Sequence, residues 1–251
     1  MKHLLTNMLK FMGTGLIVLT SLFVTRSVAA YADGPHLRIY RVTLQNLTKG
    51  QPFSPPVAAT HRHRPHMFQV GNLASDELAA IAQDGNEVPM FNLFNGSGNT
   101  TQAVDIARPL TPSGKVVGTF TDSVTFEIKA APGDRFSLAT MLICTNDGFL
   151  GLDAVKLPPE GSRVFWLAGY DAGRENNTEK SQDIVDPCSA LGPFKLSGDP
   201  NGNIDTAVAT TPRQVIQHHP GIKGVGDLSV PDHGWTDPVA KVTITRIDDD
   251  D

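Results

Sequence analysis

Beyond its first thirty residues the chain has no apolar run that approaches the roughly 20 residues a membrane-spanning helix requires. It is also short of positive charge, with 21 Lys and Arg against 26 Asp and Glu and a net charge of −5. Nucleic-acid binding depends on clustered Lys and Arg, so this balance argues against a nucleic-acid partner. The sequence contains no nucleophile elbow, H-E-x-x-H motif or phosphate-binding loop, and it therefore gives no sign of a familiar enzyme.

Residues 1–30 have the three-part pattern of a secretory signal peptide. Lys2 and Lys10 make a positive start, residues 11–24 an apolar middle, and Val28-Ala29-Ala30 a small-residue cleavage site. We expect cleavage after residue 30 and export to the periplasm or beyond the cell, with no transmembrane segment remaining. The alternative is an uncleaved anchor, but the apolar stretch is shorter than a spanning helix needs.

Cleavage would leave 221 of the 251 residues. That length suits one all-β domain, which often runs to about 200–250 residues. We expect the domain to span residues 31–247 and an acidic, solvated tail to occupy residues 248–251, because four adjacent aspartates repel one another. Three cations leave with the signal, so the net charge falls from −5 to −8. This charge favours cations as ligands.

The chain has only two cysteines, Cys144 and Cys188. An exported protein meets an oxidising compartment, where disulfides persist, so we expect these two residues to pair. A bridge closing a loop of this size would contribute roughly 3–4 kcal/mol in the chain-entropy estimate. The alternative is two free thiols.

Apolar and polar residues alternate along several stretches, as they do in strands with one buried face. In the first, Tyr40, Val42 and Leu44 share one side. Val164-Phe165-Trp166-Leu167-Ala168 is continuously apolar and predicts a strand buried on both faces. Strands separated by turn signals indicate an all-β fold, an antiparallel β-sandwich. Alternating strands are expected at residues 37–47, 119–128 and 239–247. Residues 135–144 are expected to form a strand that is apolar enough to be central and that makes a hairpin with the strand at residues 119–128.

One short helix is expected. Ser75 is suited to the N-cap, Asp76 and Glu77 complement the helix dipole, and Gly85 is placed to end the helix. We expect it to plug one end of the sheets. Residues 88–107 are rich in Asn and Gly and are interpreted mostly as loop.

Three histidines, His61, His63 and His66, follow the spacing H-x-H-x-x-H within residues 60–66, a segment we interpret as a loop leading into a short strand at residues 67–70. Neutral imidazoles at such spacing could bind zinc or copper. Arg62 and Arg64 interleave them and oppose a cation. We therefore favour a plain loop and leave the role of the three histidines open.

Two acidic turns lie on either side of the apolar strand at residues 164–168. The first is Thr145-Asn146-Asp147-Gly148 and the second is Tyr170-Asp171-Ala172-Gly173-Arg174-Glu175. Acidic loops mounted on a rigid strand suggest a cation site. Asp147 and Asp171 could also simply stabilise their turns, as Asp often does.

Four separated segments follow one another along the chain: Ser54-Pro55-Pro56 with Thr60-His61, Asp147 to Asp153, Tyr170 to Glu175, and Pro238 to Arg246. In this order they resemble the spondin N-terminal domain family. That resemblance spans roughly residues 39–247. It implies an eight-stranded antiparallel β-sandwich similar to C2 domains, found in extracellular matrix proteins of animals and in exported single-domain proteins of bacteria.

The resemblance also implies a Ca2+ ion held by Asp147, Asp171 and Glu175. Two positions depart from the family pattern, since Gly148 replaces an aromatic residue and Glu175 replaces Asp. Calcium accepts about six to eight oxygen ligands in irregular geometry, which three carboxylates with carbonyls and water can supply. The acidic turns contain no His or Cys, which argues against zinc there. Asp153 alternates with Leu150 and Leu152 and is expected to have a structural role.

These observations favour an exported calcium-binding domain that acts in adhesion or as a binding module at the cell surface, with an unidentified protein or carbohydrate partner. One alternative is a metal-assisted hydrolase with His61, His219 or His233 as general base. The other is a structural envelope protein in which calcium serves only stability. A histidine beside the ion at the mouth of a deep cleft would favour the hydrolase.

Overall fold

The computed structural model describes residues 36–192 and 209–247, which form two antiparallel β-sheets. The expected signal at residues 1–30 and the acidic tail at residues 248–251 lie outside the described residues. The strands are β1 (Arg38–Asn46), β2 (Val57–His61), β3 (Thr100–Asp105), β4 (Ser123–Ala130), β5 (Arg135–Met141), β6 (Gly148–Lys156), β7 (Ser162–Leu167), β8 (Tyr170–Asp171), β9 (Gln217–His218) and β10 (Ala240–Ile247). The α-helices are α1 (Asp76–Asp84), α2 (Val88–Asn95), α3 (Pro187–Leu191) and α4 (Val230–His233).

The first sheet has the strand order β4-β1-β10-β7 and the second the order β3-β2-β5-β6-β8-β9. Their facing sides share one core, in which Tyr40, Val42 and Leu44 of β1 meet Phe136 and Leu138 of β5. Each of these side chains is at most 2% exposed. Burial of one such side chain contributes about 1.5–3 kcal/mol. The prediction of an all-β antiparallel sandwich is confirmed, with ten strands in the described residues.

Helix α1 begins and ends where the sequence predicted. The Ser75 hydroxyl accepts a hydrogen bond from the Leu78 N–H at 3.2 Å, and Gly85 adopts φ 66° after the last turn. The expectation that this helix plugs one end of the sheets is wrong. The helix buries Leu78 and Ile81 in a second core against Phe149, on the outer face of the second sheet. None of the described helices is long and apolar enough to cross a membrane.

The predicted hairpin of the strands now numbered β4 and β5 is wrong. β4 pairs with β1 in the first sheet, whereas β5 pairs with β2 and β6 in the second. Both strands direct apolar side chains into the core between the sheets, but they do so from opposite sides of it. Each strand therefore pairs with neighbours in its own sheet. The turn at residues 131–134 therefore crosses between the sheets.

The apolar segment at residues 164–168 is also not buried on both faces. β7 is an edge strand, and Val164 and Trp166 are 45% and 63% exposed on the outer side of the first sheet. The Lys241 ammonium lies 5.9 Å from the Trp166 ring centre and lends this side partial cover.

Three local predictions between residues 57 and 107 are corrected. Residues 57–61 form a fully buried strand, since β2 runs between β3 and β5 under the helices, and residues 67–70 do not form one. The predicted loop at residues 88–107 contains α2 and β3. Met90 and Phe94, four residues apart on α2, are both 0% exposed, and this helical spacing outweighs the neighbouring Asn and Gly.

Candidate metal centre

A disulfide between Cys144 and Cys188 anchors the candidate site, which confirms the expected pairing. Both residues are 0% exposed, and their Cα atoms are 5.0 Å apart. The bond joins the loop after β5 to helix α3. Asp147, the first acidic residue of the site, lies in the same loop, three positions after Cys144.

The loop that carries Asp147 is folded around Thr145. The Thr145 hydroxyl donates to the Leu142 carbonyl at 2.6 Å and accepts from the Gly148 N–H at 2.8 Å. A Cβ on residue 148 would lie 2.5 Å from that hydroxyl oxygen. Gly148, which departs from the family pattern, is therefore the residue that this tight loop accepts.

Asp147 is 0% exposed and its two carboxylate oxygens differ. Oδ2 accepts hydrogen bonds from the N–H groups of Arg174 and Glu175, at 2.7 and 3.0 Å. Oδ1 is buried and has no hydrogen-bond partner among the described residues. A buried anionic oxygen without a partner is costly, so this atom points to a ligand that would satisfy it.

Asp171 lies beside Asp147. β8 pairs with β6 so that Asp171 is opposite Gly148, the residue after Asp147. Asp171 Oδ1 accepts from the Gly173 N–H and Oδ2 from the Asn177 side chain, both at 2.7 Å. Burial of Asp147, followed by the negative charge of Asp171, raises the pKa of Asp147 from 3.8 to about 7.

Gly173 shapes the second acidic turn. It adopts φ 69°, and a Cβ there would lie 2.3 Å from the Gln214 carbonyl oxygen. The Gly173 carbonyl accepts from the Gln214 N–H at 2.9 Å and from the Thr210 hydroxyl at 2.7 Å. Residues 210–214 therefore cover the turn, while the N–H groups of Arg174 and Glu175 bond the turn to Asp147.

Glu175 occupies the same turn, but its side chain turns toward helix α1. Gln83 donates to Glu175 Oε1 at 2.5 Å, while the Glu175 N–H bonds Asp147. In residues 36–192 and 209–247, no three His, Cys, Asp or Glu side chains form a group arranged to hold a metal ion. The structure thus brings Asp147 and Asp171 together and leaves the ligand role of Glu175 a prediction.

Sequence reasoning missed Glu179, which is 3% exposed and ties a second loop to the site. Its carboxylate accepts from the N–H groups of Lys223 and Val225, at 2.6 and 2.9 Å. Its own N–H donates to the Asn146 side chain at 3.2 Å. Asn146 precedes Asp147 in the acidic turn, so this hydrogen bond joins the Glu179 loop to the site, and no local sequence pattern marked it.

Among the three candidate bases, His219 is the one that interacts with Asp171. It is 9% exposed, its Nδ1 accepts from the Gly221 N–H at 3.0 Å, and its Nε2 has no hydrogen-bond partner among the described residues. Burial lowers its pKa to about 4, against the opposing effect of Asp171 and Glu179. His219 is therefore neutral at physiological pH.

The other two candidate bases have structural partners. His61 is fully buried, with Nε2 2.8 Å from the Ser137 hydroxyl, and burial lowers its pKa. His233 Nδ1 accepts from the Ser229 N–H at 3.1 Å within α4 and its cap.

The donors at the acidic turns are all oxygens, as calcium prefers. Asp147 Oδ1 has no hydrogen-bond partner within residues 36–192 and 209–247, and a cation beside it would lower the pKa of Asp147 again. These residues fit Ca2+, with Asp147 and Asp171 as the carboxylates that would hold it.

A disulfide-bonded antiparallel β-sandwich with a buried acidic site between its loops defines the class, an extracellular type of β-sandwich domain. A profile of the spondin N-terminal domain family, Spondin_N, matches residues 43–186, which is more than half of the chain. The chain belongs to this family. The match covers both acidic turns and ends before β10, the strand that lies between β1 and β7. No curated protein matches the chain.

Proposed function

We propose that the protein is an exported calcium-binding domain that acts as a binding or adhesion module at the cell surface. The observation that carries this proposal is Asp147 Oδ1, a buried carboxylate oxygen with no hydrogen-bond partner among the described residues, beside a second carboxylate. Without a cation the pair is costly to ionise. With Ca2+ bound, both carboxylates are ionised and the two turns are joined by one ion.

Calcium would act on loops that are already fixed to the sandwich. The Asp147 loop is joined to α3 by the disulfide, and the Asp171 turn is covered by residues 210–214. The ion would therefore stiffen one end of the domain and present its loops to a protein or carbohydrate partner in a single arrangement.

Binding is favoured over hydrolysis because of where His219 lies. Its low pKa, about 4, leaves the imidazole neutral, as a general base requires. At 9% exposure, however, the ring is packed 5.0 Å from Trp235 and leaves a substrate little access.

Thermal unfolding of the Asp171→Ala variant tests the ion. At a calcium concentration 100 times the dissociation constant, binding would stabilise the wild type by about 2.7 kcal/mol, or about 5–10 °C in Tm. Asp171→Ala is expected to lose this rise, and an unchanged calcium-dependent rise would refute the assignment. The exposed variant Glu160→Gln is the matched control and should respond like the wild type.

Binding of fluorescently labelled protein to whole cells tests the module. Binding that requires calcium and is lost in Asp171→Ala supports the proposal. If calcium raises Tm but cell binding is absent or unchanged by calcium, the ion serves stability alone, as in a structural envelope protein.

A further inference from the structure

Two imidazoles and a carboxylate meet just beyond the end of β2, in a place that the calcium proposal does not use. His63 and His66 belong to the loop that follows β2, and Asp153 belongs to β6. Asp153 is five residues beyond Gly148, so this cluster lies roughly 15 Å along the strand from the acidic turns.

His66 is held with a defined ring orientation. Its Nδ1 lies 2.5 Å from Asp153 Oδ2, and the other Asp153 oxygen accepts from the Met67 N–H at 2.7 Å. An ionised carboxylate only accepts, so Nδ1 carries the proton and donates it. The lone pair of His66 is then on Nε2. Metal-bound histidines have this arrangement, with a carboxylate behind the ring fixing the tautomer.

His63 stands beside His66 at a spacing that suits a shared ion. The two ring centres are 5.2 Å apart and the rings are nearly perpendicular, at 85°. With metal–nitrogen bonds of about 2.0–2.1 Å and tetrahedral angles, the centres of two imidazole ligands are about 5 Å apart. The His63 side chain is exposed, so an ion can reach the pair from solvent.

In the sequence, Arg62 and Arg64 argued against a metal at these histidines. In the fold, one of the two arginines has an acidic partner. The Arg62 side chain is directed toward Asp134, with Nε 3.8 Å from Oδ1. His61 does not join the pair, since its Nε2 is engaged by Ser137 and its ring packs 5.0 Å from Phe94. An ion here would therefore have two nitrogen ligands, from His63 and His66, and water at its remaining positions. Arg64, which is exposed, is the cation that still opposes binding.

We propose that His63 and His66, with Asp153 behind His66, bind a divalent transition metal of the zinc and copper class. Imidazole suits these ions, whereas calcium takes oxygen ligands, so the histidine pair and the acidic turns select different metals. This proposal does not rest on the calcium proposal, and either can fail alone.

Zinc titration by isothermal calorimetry tests the pair on the full chain, with calcium present in excess so that the carboxylate site is already supplied. His63→Ala should remove one equivalent of bound zinc. Because His63 is exposed, this variant is expected to keep the wild-type Tm. His218→Ala is the matched control, since His218 Nδ1 also faces a carboxylate, Asp237, at 3.4 Å, but its ring neighbour is Tyr170 instead of a second imidazole.

Asp153→Asn separates a metal site from a mere structural contact. The Asn oxygen can still accept from Met67, but its amide donates to His66 Nδ1 and moves the ring proton to Nε2. Zinc affinity should fall about 10–100-fold, the usual effect of losing such a carboxylate. The proposal is overturned if His63→Ala and wild type bind the same number of zinc ions, or if Asp153→Asn binds zinc as tightly as wild type does.

Discussion

Asp147→Asn separates the cost of burying a carboxylate from the benefit of binding calcium. The pKa of Asp147 is raised from 3.8 to about 7 by burial and by Asp171. At pH values between 3.8 and about 7, Asp147 is protonated in the calcium-free folded protein but ionised in the unfolded chain. The stability that this proton provides is complete below pH 4 and is lost as the pH rises through about 7.

A difference of about three pKa units corresponds to roughly 4 kcal/mol, the amount by which ionising Asp147 destabilises the calcium-free protein at pH 8. The asparagine side chain is neutral, and its oxygen can still accept from the N–H groups of Arg174 and Glu175. Its amide nitrogen would take the place of Oδ1. Without calcium, the variant should therefore melt about 10 °C above the wild type at pH 8 and near the wild type at pH 4.

Differential scanning calorimetry from pH 4 to 9, in metal-free buffers, measures this gap. Titrating groups that do not interact with Asp147 affect both proteins equally, so the difference between their Tm values reports the ionisation of Asp147 and its repulsion by Asp171. Glu160→Gln should follow the wild type at every pH. The reasoning is refuted if the gap between Asp147→Asn and the wild type does not widen from pH 5 to pH 8.

Three further predictions follow from the same region. Burial lowers the pKa of His219 to about 4, so protonation of this residue disfavours folding as the pH falls below 6.5. His219→Gln should therefore remove about 2.5 kcal/mol of the destabilisation measured by urea unfolding at pH 4.5 compared with pH 7, and an unchanged pH dependence would contradict this. Replacing Cys144 and Cys188 by serine should lower the free energy of unfolding by about 3–4 kcal/mol, and reduction of the wild-type disulfide should lower it by the same amount. Equal urea midpoints of the serine variant and the oxidised wild type would contradict this prediction. Gly173→Ala should lower Tm and weaken calcium binding, because the added Cβ would lie 2.3 Å from the Gln214 carbonyl oxygen. Gly133, with φ 89° and no atom within 4 Å of an added Cβ, is the control: Gly133→Ala should lower Tm but leave calcium affinity unchanged. Equal calcium affinities of the two variants would contradict this prediction.

Strands with one buried face were predictable from the sequence. β1 and β10 alternate because Val42 and Val242 face the core while Thr43 and Thr243 face out. β2 has no such pattern, since all five of its residues are buried, and it was missed. The order of strands in each sheet depends on which distant segments pair, which local alternation does not encode.

The candidate site was predictable to a similar extent. Motifs located both acidic turns, and the fold brings Asp147 and Asp171 together. The contact between Gln83 and Glu175 joins residues 92 positions apart, and no local pattern predicted it. Glu179 was missed for the same reason, because its partners lie more than 30 residues away on either side.

Calcium titration of the metal-free protein by isothermal calorimetry is the most direct test of the central claim. At pH 6 the wild type should bind one Ca2+ and release about 0.9 proton, since an Asp147 with a pKa near 7 is mostly protonated there. Proton release follows from titrations in buffers of different ionisation enthalpy. Asp147→Asn should bind no calcium at the calcium concentrations that saturate the wild type. Saturable binding by Asp147→Asn with wild-type affinity, or binding by the wild type without proton release, would contradict the account.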